Sequence, residues 1–465
     1  MSDTKKLKVL QAYDGKLIEE VALNNWQVAD AMLNKAERLF KDRGQWLPAH
    51  RRIDILKKLQ SLMQEKADEF SIMIAREGGK PLADAKIEVA RAINGVELAR
   101  EEISQLKGEQ IPMDLTAAGA GRLAFTVKEP IGVVLAVSAF NHPLNLIVHQ
   151  VVPAIACGCP VIVKPAAHTP LSCLRFVELV NKAGLPDGWC QSCVCDRETA
   201  TKLIADSRVA FLTFIGSAKV GWELRRQIAP GTRCSLEHGG VAPVIVAGDA
   251  DLTRTVPSIA KAAFYHAGQV CVSVQRVFVD NTIKQTFVDA LKAIATELKV
   301  GDPTDINTEV GPLIKPGEVE RVEQWVNEAV SAGAGLVSGG KRISETCYQP
   351  TILLDPAADA KVSTLEVFGP VVCVYGYDDI EQAINQANSL SVSFQAAVFT
   401  RDIHRAFQSA QRLDAAAVMM NDHTAFRVDW MPFAGHRTSG LGVGGIPYTM
   451  AEMTHDKLLV INGID

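Results

Sequence analysis

Ile131-Gly132-Val133-Val134-Leu135-Ala136-Val137 is the stretch that decides the fold of this 465-residue chain. An unbroken run of apolar and small residues, rich in valine, predicts a strand that is buried on both faces of a parallel sheet. Val161-Ile162-Val163-Lys164-Pro165 repeats the pattern, and the apolar residues from Leu144 to Ala156 between the two runs have helical spacing. Strand, helix and strand in this order predict a βαβ unit.

The alternation continues downstream, with a strand predicted over 209–213 and a helix over 218–228. Successive units of this kind predict a doubly wound parallel sheet, whose ligand crevice lies at the carboxyl ends of its strands. Lys164 and Gly216-Ser217 lie at such ends. The segment 216–221 holds only part of the GxGxxG fingerprint, so its position between a strand and a helix carries the prediction.

The rest of the chain is predicted to add a second α/β domain and a small β element. The last predicted strand, over 457–461, has little sequence left to cover it, so we expect it to pair with the strand over 123–128 or with another subunit. Outside the βαβ units, the pattern predicts helices over 51–77 and 83–106 and strands over 123–128, 277–279, 371–375 and 457–461.

The composition excludes several classes of protein. Hydrophobic residues make up 48% of the chain and charged residues 22%, with a net charge of −5, so neither nucleic acid nor an anionic membrane is an expected partner. The longest apolar stretches are too short, or too interrupted by polar residues and proline, to span a bilayer. The first residues have no signal-peptide apolar region. We therefore expect a cytoplasmic protein whose ten cysteines are reduced thiols.

Three of the cysteines, Cys190, Cys193 and Cys195, have the local spacing of a metal knuckle. A closed zinc site needs four ligands, commonly from two such pairs, and no second pair follows at a suitable spacing. We therefore predict a strand that happens to use cysteine, and no metal site. A redox role for these thiols stays open.

Cys271 is the candidate nucleophile. It follows Gly268-Gln269-Val270 and precedes the apolar run 272–279, so the thiol is predicted at the mouth of a strand. A free cysteine is more often a small buried hydrophobe, and two further candidates have equally plain interpretations. Glu237, close to two glycines, suits a turn, and Asn141, after the first strand, suits a helix cap.

Taken together, the order and spacing of these residues are similar to those of the aldehyde dehydrogenase superfamily. Glu237 precedes Cys271 by 34 residues and Asn141 precedes Lys164 by 23, which fits the family pattern. The resemblance covers nearly the whole chain. It also rests on Gly216-Ser217, Glu366-Val367-Phe368-Gly369-Pro370, Pro432-Phe433-Ala434-Gly435 and Ser439-Gly440.

The resemblance implies an α/β fold with two doubly wound domains and a small β oligomerisation element. Residues 1–111 and 131–239 would form a Rossmann-like dinucleotide-binding domain, 240–448 a catalytic domain, and 112–130 and 449–465 the oligomerisation element. Homodimers or homotetramers are the family habit, so either is expected here.

The resemblance also implies the chemistry, which is the oxidation of an aldehyde to its acid. A thiolate at Cys271 attacks the aldehyde, and the Asn141 amide and the Cys271 backbone N–H bind the oxyanion. Glu237 activates the water that hydrolyses the thioester. Such a thiol needs a lowered pKa, and no neighbouring cation in the sequence provides it.

For the cofactor, the resemblance implies NAD or NADP. NAD-preferring members often have a glutamate three residues after the lysine, where this chain has Ala167. Because that glutamate repels a 2′-phosphate, its replacement makes NADP a serious candidate. A second departure is Gly442-Val443-Gly444-Gly445, which lacks a glutamate that serves some members as a proton relay. The residues assigned to the cofactor are Lys164, Ala167, Gly216, Ser217, Gly239, Glu366 and Phe368.

The resemblance is strongest to members that oxidise lactaldehyde, glyceraldehyde 3-phosphate or phosphonoacetaldehyde. In phosphate- or phosphonate-using members, arginines matching Arg91 and Arg427 grip the anion, and another arginine commonly precedes the nucleophile, where this chain has Val270. Arg91, His142 and Arg427 could still hold a carboxylate, sulfonate or hydroxyl group, although each also suits a purely structural position. We expect a short, polar, anionic or hydroxylated aldehyde.

Two alternatives stay open. An acylating dehydrogenase would hand the Cys271 thioester to coenzyme A, but such members typically lack the glutamate that Glu237 matches. A catalytically inactive relative would keep the fold without the chemistry, and the retention of Asn141 together with the other two residues disfavours it.

Overall fold

The structure, a computed structural model, describes residues 5–463. Residues 1–4 and 464–465, which belong to the predicted ranges 1–111 and 449–465, lie outside the described residues. The α-helices are α1 Trp26–Lys41, α2 Ala49–Glu65, α3 Ala67–Gly78, α4 Leu82–Glu102, α5 Asn145–Cys157, α6 Leu171–Lys182, α7 Arg197–Ile204, α8 Ala218–Arg225, α9 Leu252–Phe264, α10 Lys284–Glu297, α11 Pro316–Ser331, α12 Lys361–Thr364, α13 Ile380–Ala387, α14 Ile403–Arg412 and α15 Ile446–Glu452. The strands are β1 Lys6–Leu10, β2 Leu17–Ala22, β3 Gln110–Ile111, β4 Arg122–Pro130, β5 Val133–Val137, β6 Val161–Lys164, β7 Cys190–Ser192, β8 Val209–Ile215, β9 Arg233–Glu237, β10 Val244–Val246, β11 Arg276–Asp280, β12 Gly335–Ser338, β13 Thr351–Leu354, β14 Val371–Tyr377, β15 Val392–Ser393, β16 Gln395–Phe399, β17 Ala417–Met420, β18 His436–Arg437, β19 Gly440–Leu441 and β20 Thr454–Asn462.

A six-stranded sheet in the order β19-β9-β8-β5-β6-β7 is built mainly from the first half of the chain. All its neighbouring strands are parallel except β19 and β9. The chain winds from β5 through β6 to β7, and then returns to the other side of β5 with β8 and β9. The switch point therefore lies between β5 and β8, where a crevice opens at the carboxyl ends of the strands. This confirms the predicted doubly wound sheet, whose strand β5 and following helix α5 are buried along their whole length.

A seven-stranded sheet in the order β12-β13-β14-β11-β10-β16-β17 is built from the second half of the chain. Only β12 runs antiparallel to its neighbour, and the winding reverses beside β10, as the predicted second α/β unit requires. The chain then returns to the first sheet, because β19 pairs with β9. The predicted range 240–448 for the catalytic domain thus includes a strand that extends the first sheet, and the domain bounds stay predictions.

A three-stranded antiparallel sheet in the order β20-β4-β3 stands apart from the two large sheets. β20 pairs with β4 from Thr454 opposite Pro130 to Asn462 opposite Arg122, which confirms the predicted pairing of the late strand. β20 is an edge strand of this sheet. Its apolar side chains are largely exposed, as the 56% exposure of Leu458 shows.

The predicted helix over 51–77 is two helices, α2 and α3. Lys66 separates them with a φ of −107° and a ψ of 13°. Met63 and Phe70, on either side of the break, are both buried, so the apolar spacing continues across it. For this reason the sequence pattern alone did not reveal the break.

The cysteine-rich segment forms a strand as predicted, although the strand is short. β7 ends at Ser192, and Cys193 and Cys195 follow it as buried free thiols. Within residues 5–463, no group of three or more His, Cys, Asp or Glu side chains could hold a metal ion. None of the helices in this range is both long and apolar enough to cross a membrane.

Candidate active site

A cavity of about 690 Å³ is lined by residues from both large α/β units. The three side chains predicted to be catalytic all reach it from the ends of elements. Asn141 follows β5, Glu237 ends β9, and Cys271 lies in the loop before β11. The fold therefore brings together three candidate catalytic residues that are spread over 130 positions of the sequence.

The turn ahead of the candidate nucleophile is strained. Three consecutive residues, His266, Ala267 and Gly268, have positive φ angles of 49°, 53° and 70°. Such a conformation costs a non-glycine residue about 1–3 kcal/mol and is concentrated at functional sites. A Cβ on Gly268 would lie 2.1 Å from the carbonyl oxygen of Gly369. Glycine at this position therefore lets the nucleophile loop pack directly against the segment that carries Gly369.

The strand after Cys271 spans Arg276–Asp280 and includes the predicted strand 277–279, while the start of the apolar run at residue 272 lies in a loop. Side-chain hydrogen bonds take the place of strand pairing in the intervening loop. The Gln275 side chain donates to the backbone carbonyl before Glu366 at 2.7 Å and accepts from the backbone N–H after it at 2.9 Å. Gln275 thus fixes the position of Glu366 relative to the nucleophile loop.

The surroundings of Cys271 do not favour a thiolate. Burial, reinforced by the charge of Glu237, raises the pKa of the Cys271 thiol well above its usual range, while Arg427 opposes this rise. The lowered thiol pKa that was expected for Cys271 from the sequence is therefore not found. Asn141 donates through its side-chain Nδ2 to the carbonyl of Gln269 at 2.9 Å. Because an amide nitrogen carries two hydrogens, the second remains for an oxyanion.

Glu237 is a buried carboxylate with one free oxygen. Burial raises its pKa to about 7, against the opposing charge of Arg427. Its Oε1 has no hydrogen-bond partner in the described part of the chain. Gly444 lies behind it, since a Cβ there would be 3.3 Å from Oε2 of Glu237. A carboxylate with a pKa near 7 and an unpaired oxygen is suited to take a proton from water.

Most of the residues assigned to the cofactor line the same cavity. Burial raises the pKa of Glu366 to about 8, and its Oε1 has no partner among the described residues. A Cβ on Gly239 would lie 1.7 Å from that oxygen, so this close approach requires glycine. A buried acceptor without a partner in the wall of the cavity fits a donor such as a ribose hydroxyl group. The assigned residues that line the cavity are Gly216, Ser217, Gly239, Glu366 and Phe368.

Two assigned residues, Lys164 and Ala167, are not part of the cavity lining. The Lys164 amino group donates to the carbonyl of Pro165 at 3.2 Å, and Ala167 is exposed beside another exposed residue, His168. Lys164 is the last residue of β6, and Ala167 follows the carboxyl end of that strand. Their assignment to the adenosine ribose stays a prediction.

Arg91 and Arg427 both line the cavity, and Asp429 links them. Arg91 donates to both oxygens of Asp429, from Nη2 at 2.6 Å and from Nε at 3.2 Å. His149 completes the link, with its Nε2 2.7 Å from Asp429 and its Nδ1 3.4 Å from Nη2 of Arg427. The Arg427 guanidinium also lies 3.5 Å from the ring centroid of Phe433. Two guanidinium groups therefore face the cavity that contains the candidate nucleophile.

His142 lines the cavity but is tied to a buried ion pair. Its Nδ1 lies 2.6 Å from the amino group of Lys80, which pairs with Glu88. Burial, and then the charge of Lys80, lower the pKa of His142 to about 4. His142 is therefore a neutral polar group near pH 7 and not a cation. Glu88 also accepts from the backbone N–H groups of Leu144 and Asn145 at 3.0 and 3.1 Å, which holds the loop that carries His142.

Sequence reasoning missed several polar residues at this end of the cavity. Asp429 lies two residues after Arg427, and a carboxylate so close to a candidate anion-binding arginine was a usable signal. Asn145 is buried in the lining, and its Oδ1 has no partner within residues 5–463. His149 had no signal, because its partner Asp429 lies 280 residues away in the sequence. Lys80 and Glu88 lie only 8 residues apart, but the local sequence does not show that both are buried.

Comparisons with known proteins agree with this geometry. A family model described as “Aldehyde dehydrogenase family” matches residues 1–459. The chain is 38% identical over 458 residues to 3-sulfolactaldehyde dehydrogenase of Priestia aryabhattai, and the match covers 98% of this chain and 95% of that one.

Solved structures match over almost the full length of the chain. Aldehyde dehydrogenase 21 from Physcomitrella patens, in complex with the reaction product succinate, has a TM-score of 0.96 at 34% identity, covering 100% of this chain and 96% of that one. Glyceraldehyde-3-phosphate dehydrogenase GapN from Methanocaldococcus jannaschii, complexed with NADP, has a TM-score of 0.94 at 34% identity, covering 99% and 100%. Other matching structures are complexes with NADP or with NAD+.

Proposed function

The chain belongs to the aldehyde dehydrogenase family, whose members oxidise an aldehyde to its acid with NAD(P), and we propose that its own substrate is a short, polar, anionic or hydroxylated aldehyde. One observation carries the proposal. The Arg427 side chain is only 10% exposed, and its Nε lies 3.9 Å from Asp429 but has no hydrogen-bond partner among the described residues, yet it lines the same cavity as Cys271 and Glu237. A buried guanidinium with a free donor needs an anionic or polar partner.

In the proposed reaction, the sulfur of Cys271 bonds to the aldehyde carbon. The thiol proton has to leave first, and it passes to solvent and not to Glu237, whose role as a base belongs to the later hydrolysis. The carbonyl oxygen becomes an oxyanion as the C–S bond forms. The free N–H of Asn141 and the Cys271 backbone N–H are the donors aimed at that oxygen.

The cofactor residues fit a nicotinamide dinucleotide, because Glu366 offers an oxygen without a hydrogen-bond partner among the described residues. Gly239, which has no side chain, leaves room for that oxygen. When bound, NAD or NADP supplies the hydride acceptor for the oxidation. Ser217, at the start of α8, would hold the pyrophosphate, and Phe368 would lie against the nicotinamide ring. The absence of a carboxylate at Ala167 favours acceptance of NADP.

Glu237 completes the turnover by accepting a proton from water. The hydroxide that results attacks the thioester carbon, the C–S bond breaks, and the acid and the Cys271 thiolate are released. Its Oε1 has no hydrogen-bond partner among the described residues, and Glu237 lines the cavity. This water-activating role is the reason that transfer to coenzyme A is not proposed.

The hydroxyl group of a substrate would have its own acceptor. Asn145 lines the cavity with an unpartnered Oδ1, and its Nδ2 points to Asp429 at 3.5 Å, which sets the orientation of the amide. A buried acceptor left free in this way is costly unless a donor fills it. A 2-hydroxyl group of the aldehyde would do so, which suits the lactaldehyde-like substrates.

Initial rates across a panel of short aldehydes test the proposal. The panel contains neutral, hydroxylated, carboxylated, sulfonated and phosphorylated members, each assayed at saturating NAD and then NADP. We expect an anionic member to have the highest kcat/KM and Arg427→Ala to abolish that preference. A profile led by neutral aldehydes, unchanged by Arg427→Ala, would contradict the proposed substrate.

We also propose a homodimer or homotetramer. β20 is an edge strand whose apolar residues are exposed, with Leu458 and Val460 at 56% and 51%, and exposed apolar edges commonly mark contacts between subunits. Light scattering at micromolar concentration should give a mass of two or four chains. A monomer mass would overturn this part of the proposal.

A further inference from the structure

Asp429 is a buried carboxylate that the proposed reaction does not use. It accepts hydrogen bonds from Arg91 and from Nε2 of His149, and its backbone carbonyl accepts from the N–H of Ile446 at 3.0 Å. Its position is therefore fixed from three sides. Asp429 is not part of the cavity lining, so it acts on a bound molecule only through its partners.

The hydrogen-bond pattern makes His149 neutral. With its proton on Nε2, the ring donates to Asp429 and leaves Nδ1 to accept from Arg427. Burial, with the charge of Arg427, lowers the pKa of His149 to about 4. The cluster formed by Arg91, Arg427, Asp429 and His149, here called the arginine cluster, thus holds two positive charges and one negative charge.

Two other cations close to the cluster are cancelled in pairs. Lys80 pairs with Glu88, and Lys261 pairs with Asp84 at 2.8 Å. Glu237, whose pKa is raised to about 7, also acts on Arg427 and, once ionised, further lowers the positive charge offered to a ligand. The arginine cluster is therefore left with a net charge of about +1, supplied to the cavity by donors of Arg91 and Arg427 that Asp429 does not occupy. One bound negative charge balances the cluster, and a second one has no counter-charge.

We infer that Asp429 sets the arginine cluster to accept a singly charged anion, so that a sulfonated or carboxylated aldehyde is favoured over a phosphorylated one. This inference rests on the proposed function and narrows its substrate class. Asp429 is a positioning residue, because it acts by holding Arg91 and by cancelling one of the two positive charges. Removing its charge would leave a cluster of +2, which suits a phosphate dianion.

The test compares three aldehydes of similar length that carry zero, one and two negative charges, namely lactaldehyde, 3-sulfolactaldehyde and glyceraldehyde 3-phosphate. In the unmodified protein, kcat/KM should be highest for the sulfonated aldehyde. In Asp429→Asn, the ratio of kcat/KM for the phosphorylated over the sulfonated aldehyde should rise about tenfold or more. The control is Glu77→Gln, which removes another buried carboxylate, one that is not part of the cavity lining and accepts from the backbone N–H groups of Leu171 and Ser172, and which should leave that ratio unchanged.

Each outcome decides a different claim. If Asp429→Asn lowers kcat/KM for all three aldehydes by the same factor, Asp429 is only structural and the inference is overturned. If the unmodified protein does not prefer the sulfonated over the neutral aldehyde, the proposed function fails instead.

A second measurement needs no variant. Methanesulfonate and methylphosphonate have similar shapes and carry one and mostly two negative charges at pH 8, and each can be tested as an inhibitor that competes with the aldehyde. We expect methanesulfonate to bind the unmodified protein more tightly. Tighter binding of methylphosphonate would overturn the inference even if Asp429→Asn did not fold.

Discussion

The two ends of the cavity differ in how their buried carboxylates are paired. At the reacting end, Glu237 and Glu366 each leave one oxygen without a partner in the described chain, and burial raises their pKa values to about 7 and about 8. At the arginine end, burial alone would raise the pKa of Asp429, but its bond to His149 and the charge of Arg91 hold it well below its usual range.

This difference in pairing determines which carboxylates change their protonation state near neutral pH. Glu237 and Glu88 are both buried glutamates, yet Glu88 is paired with Lys80, which outweighs burial and lowers its pKa. A buried carboxylate paired with a cation stays charged and holds its neighbours in place, whereas one without a cationic partner in hydrogen-bond contact can accept and release a proton near neutral pH. Variants of the candidate catalytic residues and of the paired carboxylates test this difference.

The largest effect is expected for Cys271→Ser. A hydroxyl in place of the thiol is a far weaker nucleophile without strong activation, so kcat/KM should fall about a thousandfold or more. The matched control is Cys234→Ser, because Cys234 is also a partly exposed free cysteine in the described chain. Steady-state rates of both variants decide the matter, and comparable losses would show that the thiol of Cys271 has no special role.

Asn141→Ala should lower kcat about a hundredfold, because it removes one preorganised oxyanion donor. The change also removes the bond to the carbonyl of Gln269, so thermal unfolding must be recorded to show that the loop remains folded. A variant that changed KM alone would indicate that Asn141 positions the substrate and does not stabilise the oxyanion.

Glu88→Gln should lower the free energy of unfolding by about 3 kcal/mol, because it leaves Lys80 buried without its counter-charge. Glu237→Gln should change it little, or raise it above pH 7, where ionised Glu237 is disfavoured by burial. Since the pKa of Glu88 is lowered, its contribution is present above its usual range and is lost only in acid. Urea unfolding at pH 8 measures both, and equal losses would remove the contrast between the two glutamates.

The smallest effect is the pH dependence of turnover. Glu237 must be deprotonated to act as a base, so where hydrolysis limits the rate, kcat should fall about tenfold for each pH unit below about 7. The fall should be absent in Glu237→Gln. If kcat of Glu237→Gln fell over the same pH range and with the same slope, the titrating group would not be Glu237.

Most of the fold could be predicted from the sequence, because strands buried on both faces leave a continuous apolar record. The run at 131–137 was found in this way, and the predicted strand 277–279 lies within Arg276–Asp280. The exposed last strand was predicted over 457–461 from its apolar residues, and one of its two expected partners, the strand over 123–128, is the one observed. The break at Lys66 was missed since the helices on either side present one apolar face.

The candidate site was only partly predictable. Family spacing predicted Cys271, Glu237 and Asn141, and the structure brings all three to one cavity, while their catalytic roles stay predictions. The partners that set their charges could not be read in the same way, because Asp429 lies 338 residues from Arg91 in the sequence. The raised pKa of Cys271 was also unforeseen, since burial is a property of the folded chain and not of its neighbours in sequence.

The central claim is that Cys271 forms a thioester which Glu237 hydrolyses by activating water. Rapid mixing of Glu237→Gln with a good aldehyde and cofactor tests it, recorded as the formation of reduced cofactor with time. We predict a rapid burst of up to one equivalent per chain, followed by a steady rate about a hundredfold or more below that of the unmodified protein. A slow linear trace without a burst would contradict the account, because it would mean that Glu237 is needed before the thioester forms and that hydrolysis is not its distinctive step.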